Sequence, residues 1–323
     1  MVHAPRNVLV TSASGKVPLV RAVQAAARKL HPDIKVIAGD LDEAALTRHV
    51  ADGFWHMPRV EEAALEALIA GCRARGVRTV IPTRDGELLF WANHRDRFAA
   101  EGIEVVISPA ASVETCLDKL AFSRFGERNG LPFIPSGERP DEVGDGPYVV
   151  KERFGAGARK IGLGLDREAA LQHARKLEHP IYQPYVKGGE VSVDAWLDRA
   201  GRVKGLVLRT RDQVANGESQ VTTTFRDAAI ESEATRILEA LKLRGPVVMQ
   251  LMLDEHRRVH VIECNSRFGG ASTASIAAGL DLLYWTLLES GGADVSAYPF
   301  ERVAGEVRQI RVSEDIHVHG DRL

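Results

Sequence analysis

The chain has 323 residues, too many for one ordinary core and enough for two or three compact units. Apolar residues make up 45% and charged residues 27%, with neither Gly nor Pro dominant, which excludes fibrous and disordered classes. A formal net charge of −2 supplies no field that would draw the chain to nucleic acid or an anionic membrane, so neither partner is expected.

No apolar run approaches membrane-spanning length. The start, M-V-H-A-P-R-N-V-L-V-T-S, passes directly into a strand pattern and lacks a signal-peptide layout. Cys72, Cys116 and Cys264 are odd in number and far apart, without metal-ligand spacing. Reduced thiols in a cytoplasmic protein are the expectation.

Asn7–Val10 (N-V-L-V) reads as a short buried strand, residues 11–16 as a turn and 20–30 as a helix. Residues 34–38 form the next strand, 61–75 a helix with Ala64, Leu65, Leu68 and Ile69 as its apolar stripe, 77–82 a strand, 86–100 a helix and 103–107 a strand. This alternation over 1–108 predicts an α/β unit, an open parallel sheet with helices on both faces. Ligands of such sheets lie beyond the carboxyl ends of the strands. That places Ser12, Ser14, Gly15, Lys16, Asp40, Thr83, Asp85 and Glu87 as candidates. The first turn has a single glycine, so it carries no dinucleotide fingerprint. S-A-S-G-K-V is not a phosphate loop either, because Val17 follows Lys16. A plain strand-to-helix turn explains it equally well.

Residues 108–125 predict one capped helix carrying Asp118 and Lys119, and 130–135 (G-L-P-F-I-P) a connector. A strand at 147–150 delivers Lys151 to a loop holding Gly155 and Gly157. Strands at 161–165 and 181–186 and a helix at 167–177 complete a small α+β unit over about 140–185 that reads as a mobile lid. Pro184 confines its strand to an edge or a break. Residues 189–197, 203–209 and 222–224 are strands of a further sheet, 228–243 is a helix, and 271–288 is helical with a break at Gly279. His317 and His319 would share a strand face near the end; two exposed histidines are the better account than a metal site.

Residues 247–267 carry the sharpest signal. V-V-M-Q-L-M-L and V-H-V-I-E-C-N-S-R flank the polar turn D-E-H-R-R, which predicts an antiparallel hairpin. Side chains at i and i+2 share a face, so Glu263 and Asn265 project together with Val261 in their row, and Gln250 joins them if the register allows. Polar residues on one face of an apolar strand need a reason. A Mg²⁺ ion, which takes oxygen ligands and only one or two carboxylates, supplies one; a polar sheet edge is the alternative. Cys264 alternates with these residues and belongs to packing.

In chain order, several pieces form a recognisable set: D-K (Asp118, Lys119), Y-V-V-K-E-R-F-G-A-G (148–157), Y-Q-P-Y-V-K-G-G-E-V-S-V-D (182–194), L-R-T-R (208–211), N-G-E-S (216–219), G-P-V-V-M-Q (245–250) and V-I-E-C-N-S-R-F-G-G (261–270). From about 113 to 288 the sequence resembles the ATP-grasp superfamily, nearest its carbamoyl-phosphate-synthase-like ligases. The resemblance implies three parts. A pre-ATP-grasp domain fills 1–108, linker helices and the lid subdomain 109–186, and a C-terminal antiparallel sheet subdomain with the metal site 187–323. It further implies ATP and Mg²⁺ (or Mn²⁺) as cofactors. Lys119 and Lys151 would bind the phosphates beneath the Gly155/Gly157 loop. Gln183, the Pro184 carbonyl, Tyr185 and the Val186 amide would meet the adenine, and Glu190 the ribose. Gln250, Glu263 and Asn265 would hold the metal, and Arg267 would stabilise the transferring phosphoryl group. Arg209 and Arg211 are candidates for gripping a substrate carboxylate. Departures are Gln250 where many members are acidic, Gln183 where glutamate is common, and Ser266 where proline is common.

The implied activity joins a small-molecule carboxylate to an amine through an acyl phosphate, releasing ADP and phosphate. Carboxyphosphate or carbamoyl-phosphate chemistry and an idle ATP-binding sensor are the alternatives, and a homodimer is left open.

Overall fold

The computed structural model describes residues 6–155, 160–215 and 217–318. Its N-terminal unit runs β1 (Asn7–Val10), α1 (Val17–Leu30), β2 (Val36–Asp40), β3 (Gly53–His56), α2 (Leu65–Ala74), β4 (Val77–Ile81), α3 (Asp85–Ala100) and β5 (Glu104–Val105). All five strands are parallel, in the order β3-β2-β1-β4-β5. Alternation along β1 and β2 assigns their side chains to two cores. Val8, Val10, Val36 and Ala38 meet Val20, Val23 and Ala27 of α1. Leu9 and Ile37 meet Leu68 and Ile69 of α2 and Trp91 of α3. The sequence pattern omits β3, whose G-F-W-H is too short to show a period. Trp55 of that strand lies under α2, where a Cβ at Gly71 would come within 2.1 Å of its Cζ2.

The predicted helix at 108–125 is two helices, α4 (Ala110–Leu117) and α5 (Lys119–Arg128). Asp118 between them is extended, and its Oδ1 accepts from the amides of Leu120 (3.0 Å) and Ala121 (3.2 Å), capping α5. The lid comprises β6 (Tyr148–Glu152), β7 (Gly162–Leu165), α6 (Arg167–Ala174) and β8 (Pro180–Pro184), with antiparallel order β7-β6-β8. Pro184 thus sits on an edge strand, as a residue without an N–H requires.

The large sheet is built from β9 (Gly188–Leu197), β10 (Val203–Thr210), β11 (Gln213–Ala215), β12 (Glu218–Phe225), β13 (Gly245–Asp254) and β14 (Val259–Asn265), with α7 (Ala228–Ala240) between β12 and β13. After β14 come α8 (Thr273–Ala277), α9 (Leu282–Ser290) and β15 (Arg308–Ile310). Strand order is β11-β12-β10-β9-β13-β14, with β15 on β12. One face buries Val191, Val193, Leu208 and Met249 against Ile237 and Leu238 of α7 and Phe122 of α5. On the other face Trp196 and Val207 join Trp285 of α9 and the α1 side of the N-terminal unit in one continuous core. The break at Gly279 is real: its φ is +100°, and a Cβ there would meet the Glu301 carbonyl oxygen at 2.2 Å. Among the described residues no helix is long and apolar enough to cross a membrane.

Candidate active site

The β13–β14 hairpin pairs Gln250 with Glu263 and Val248 with Asn265, so those polar side chains share a face. The register slips immediately beyond, where Leu251 opposes Val261. One extra residue in β14 forms a bulge that turns Val261 into the core under α7, correcting its expected place beside Glu263. Cys264 is buried on that opposite face, as expected.

The same row continues across the sheet: Glu263 opposes Gln250, Gln250 opposes Ser192, Ser192 opposes Arg209, and Arg209 opposes Thr224. Directly paired residues point the same way, so five strands deliver one line of polar groups. Ser192 and Asp194 were not singled out from sequence, although the alternation in G-E-V-S-V-D already placed them on Glu190's face.

Asn265 Nδ2 donates to Glu263 Oε1 at 3.3 Å, leaving Asn265 Oδ1 free of any hydrogen bond among the described residues. The Gln250 amide lies between one acceptor and one donor. It satisfies both by donating to Glu263 Oε1 at 2.9 Å and accepting from Arg211 Nη1 at 2.7 Å. Arg211 Nε lies 3.1 Å from Glu190 Oε1, and Arg211 Nη2 donates to the Gly217 carbonyl at 3.0 Å. Glu190, expected at a ribose, is therefore an ion-pair partner. Burial raises its pKa above the ordinary carboxylate range against the pull of Arg211.

Arg209 is also committed. Its Nε donates to Asp194 Oδ2 at 2.7 Å, and both side chains are almost wholly buried. Ser272 and Ser275, on the α8 side, donate to the same carboxylate at 2.5 and 2.6 Å. Arg209 is thus not the free bidentate fork expected from sequence; only its Nη1 is buried without a partner among the described residues, as is Ser192 Oγ. Arg267 points away from the hairpin to grip Asp85 at the start of α3, with Nε–Oδ1 and Nη2–Oδ2 both at 2.6 Å. The expected phosphoryl-stabilising arginine is, in this arrangement, the clasp between the two units.

Two lysines on other elements lie within electrostatic reach of Glu263. Lys151 on β6 is 4% exposed, and burial pulls its pKa down to about 8, with Glu263 opposing that and Lys119 adding to it. Lys119 at the start of α5 is also lowered by burial, against the attraction of Glu263. Its Nζ donates to the Gly155 carbonyl at 2.7 Å, tying it to the mouth of the glycine loop. Arg153 grips Asp118 through Nε (2.7 Å) and Nη2 (2.5 Å), so the lid strand and the linker helix hold the two lysines in register. A Cβ at Gly155 would meet nothing within 4 Å among the described residues. Gly157 lies outside the described residues, as does His319.

At the lid edge, Gln183 is buried and its Nε2 donates to Ser136 Oγ at 2.8 Å. The Tyr185 amide is spent on the Pro147 carbonyl (2.8 Å), while the Val186 amide has no partner among the described residues.

Beyond the carboxyl ends of the parallel strands lies a cleft of about 650 Å³ lined by Ser12, Lys16, Asp40, Arg59, Arg84 and Glu87, among others. Lys16 Nζ donates to the Ser12 carbonyl and to Thr83 Oγ1, both at 2.7 Å, and its pKa falls to about 8 through burial and the nearby Arg267. Arg84 and Gly86 of the cleft flank Asp85, which places it next to the Arg267 clasp.

A sheet carrying Glu263 with two lysine neighbours, beneath a three-stranded lid and behind a parallel α/β unit, is the architecture of ATP-grasp proteins. Residues 176–313 match the family model for ATP-grasp in the biosynthetic pathway with Ter operon, and residues 8–106 match the PylC-like N-terminal domain. The chain therefore carries an ATP-grasp domain behind a PylC-like N-terminal domain. A curated relative, the carbamoyl phosphate synthase large chain of Pyrococcus furiosus, is 24% identical over 208 residues, 56% of this chain and 20% of that one. The chain thus spans about a fifth of that relative's length. The biotin carboxylase domain of Hydrogenobacter thermophilus 2-oxoglutarate carboxylase, solved as a dimer with MgADP, ADP and bicarbonate, superposes with TM-score 0.76 at 17% identity, covering 95% of this chain and 74% of that one. The L-amino acid ligase of Bacillus licheniformis gives TM-score 0.69 at 19% identity, covering 88% and 74%. N5-carboxyaminoimidazole synthetase of Staphylococcus aureus, complexed with ADP, gives 0.71 at 16%, covering 90% and 78%. At these identities the superpositions establish the fold.

Among the described residues no cluster of three or more His, Cys, Asp or Glu side chains could hold a metal by itself. Glu263 and the free Asn265 oxygen nevertheless fit Mg²⁺, which needs few protein oxygens when phosphates complete its shell.

Proposed function

We propose that the chain is an ATP-dependent carboxylate–amine ligase: a carboxylate is phosphorylated by ATP, and an amine then displaces phosphate from the acyl phosphate to form an amide. The observation that carries this reading is the placing of buried Lys151 on β6 beside Lys119 at the start of α5, held together by the Arg153–Asp118 ion pair and both within electrostatic reach of Glu263 on the large sheet. Two partly desolvated ammonium groups around a single carboxylate are a poor structural device and a good polyphosphate cradle.

Lys151, held rigid by burial, and Lys119, tied to the loop mouth, bind phosphate oxygens and oppose the charge that develops in transfer. Gln183 and the free Val186 amide border the adenine, and the lid excludes water that would hydrolyse an acyl phosphate. Glu263 and Asn265 would hold Mg²⁺, which when bound would supply charge neutralisation at the phosphates. The cleft beyond the parallel strands gives the second substrate room beside the Asp85–Arg267 clasp. The naming of structural neighbours as an L-amino acid ligase and a synthetase supports this class, and the MgADP-bound, dimeric biotin carboxylase domain supports both the cofactor and a homodimer. The carbamoyl phosphate synthase relative keeps one second reading in play, phosphoryl transfer to bicarbonate without amine ligation.

ADP release measured across amino acids and small carboxylates with hydroxylamine present tests both readings, because a hydroxamate reveals which acid is phosphorylated. Amine-independent, bicarbonate-dependent release selects the second. Glu263→Ala and Lys151→Ala each lower release at least a hundredfold with the fold intact. Turnover near the wild-type rate in either variant refutes the site.

A further inference from the structure

The cleft beyond the carboxyl ends of the parallel strands is lined by Lys16, Arg59 and Arg84 together with Asp40, Asp42 and Glu87, and these groups do not pair with one another. The exposed Arg59 and Arg84 side chains make no hydrogen bond or ion pair among the described residues. Asp40 accepts from the amides of Ser14 (2.7 Å) and Asp42 (3.0 Å), and Asp42 from that of Ala44 (2.9 Å). Glu87 is buried, yet its oxygens meet only the hydroxyls of Thr11 (3.2 Å) and Ser12. Lys16 feels the Glu87 charge but spends its Nζ on the Ser12 carbonyl and Thr83. Elsewhere such groups find each other, as Arg153 and Asp118 do.

Opposite charges that share a cavity and stay apart leave both signs for a ligand. A buried carboxylate supplied only with neutral donors is costly until a cation arrives. Three cations against three carboxylates give the cleft no net charge, so it suits neither a polyanion nor a polycation. A zwitterion satisfies both signs at once. One wall is apolar, formed by half-exposed Leu41 with Pro58 and Val60. The volume of about 650 Å³ lies within the range of small-molecule sites.

We propose that this cleft binds an α-amino acid with an apolar side chain: Arg59 and Arg84 take its carboxylate, Glu87 its amino group, and Leu41, Pro58 and Val60 its side chain. The proposal rests on the ligase reading for one step only, that this amino acid is the amine substrate. Glu87 shares the first turn of α3 with Asp85, which puts the amino group on the side of the Arg267 clasp. In the ligation the nitrogen bonds to the acyl carbon and the carbon–oxygen bond to phosphate breaks. Of the two ammonium protons lost, one leaves on phosphate and one goes to solvent. The product is a peptide-like amide that keeps the carboxylate held by the two arginines.

The test reads binding and does not depend on turnover. Isothermal titration calorimetry on the full chain, with AMPPNP and Mg²⁺ present and absent, covers the proteinogenic amino acids in L and D forms. An apolar amino acid should bind tightest. Its decarboxylated amine and its deaminated acid (for leucine, 3-methylbutylamine and 4-methylpentanoate) should each bind at least about tenfold more weakly, as loss of a charge-assisted contact requires. Arg59→Gln and Arg84→Gln should each weaken the amino acid about tenfold and change the decarboxylated amine by less than about twofold. Glu87→Gln should weaken the amino acid and spare the deaminated acid. Absence of amino-acid binding, or equal affinity for the amino acid and its decarboxylated amine, overturns the proposal. Wild-type affinity in both arginine variants overturns their role. Amino-acid binding without ADP release on any acid overturns the ligase reading and leaves the cleft assignment standing.

Discussion

Lys151→Met should stabilise the protein while destroying its chemistry. The wild-type lysine is 4% exposed, and burial brings its pKa from 10.5 to about 8. At about 1.4 kcal/mol per pKa unit, that displacement corresponds to about 3 kcal/mol of folding free energy lost to keeping the group charged. The sign follows from proton counting. Below about pH 8 the lysine is charged in both folded and unfolded chains, and the whole penalty is present. Between about 8 and 10.5 the folded protein has released a proton that the unfolded chain still holds, so stability rises with pH. Above that window both forms are neutral and the penalty has gone. Methionine keeps the apolar stem without the charge, so the variant gains up to about 3 kcal/mol at pH 7, at about 2–4 °C per kcal/mol for a cooperative unit of 150–250 residues.

Thermal unfolding of the nucleotide-free protein from pH 6 to 10.5 reads both effects. Lys16 titrates in the same window and is present in both proteins, so the difference between them isolates Lys151. Added AMPPNP with Mg²⁺ should then stabilise the wild type and leave the variant unmoved. Parallel pH profiles, or a less stable variant at pH 7, would refute the claim that Lys151 is a strained cation kept for a ligand.

Asp85→Asn leaves Arg267 without its bidentate carboxylate between two largely buried side chains and should cost about 3 kcal/mol, within the range for breaking such pairs. A double-mutant cycle with Arg267→Gln in urea unfolding checks it, and a coupling below about 0.5 kcal/mol would deny the clasp. Gly71→Ala forces a Cβ within 2.1 Å of Trp55 and should destabilise the N-terminal unit by about 1–3 kcal/mol in denaturant titration, with the Trp55 emission altered.

Much of the molecule could be read from local pattern. The alternation of apolar strands and amphipathic helices to residue 108 corresponds to the five-stranded parallel unit apart from β3 and small boundary shifts. The i, i+2 spacing of Glu263 and Asn265 was sufficient to place them together, because strand geometry has a period of two. The single predicted helix at 108–125 was wrong at one residue, Asp118, where a capping carboxylate held by distant Arg153 outweighs helical continuity.

Chain order alone determined which residue types reach the sheet face and which elements carry the lysines. What only the tertiary structure decided is how those charges pair: Arg267 with Asp85, Arg209 with Asp194, Arg211 with Glu190 and Gln250. The physical reason is range. A strand's facing is set by its own backbone, whereas an arginine's partner is whichever of the chain's 44 Asp and Glu side chains the fold brings within about 3 Å.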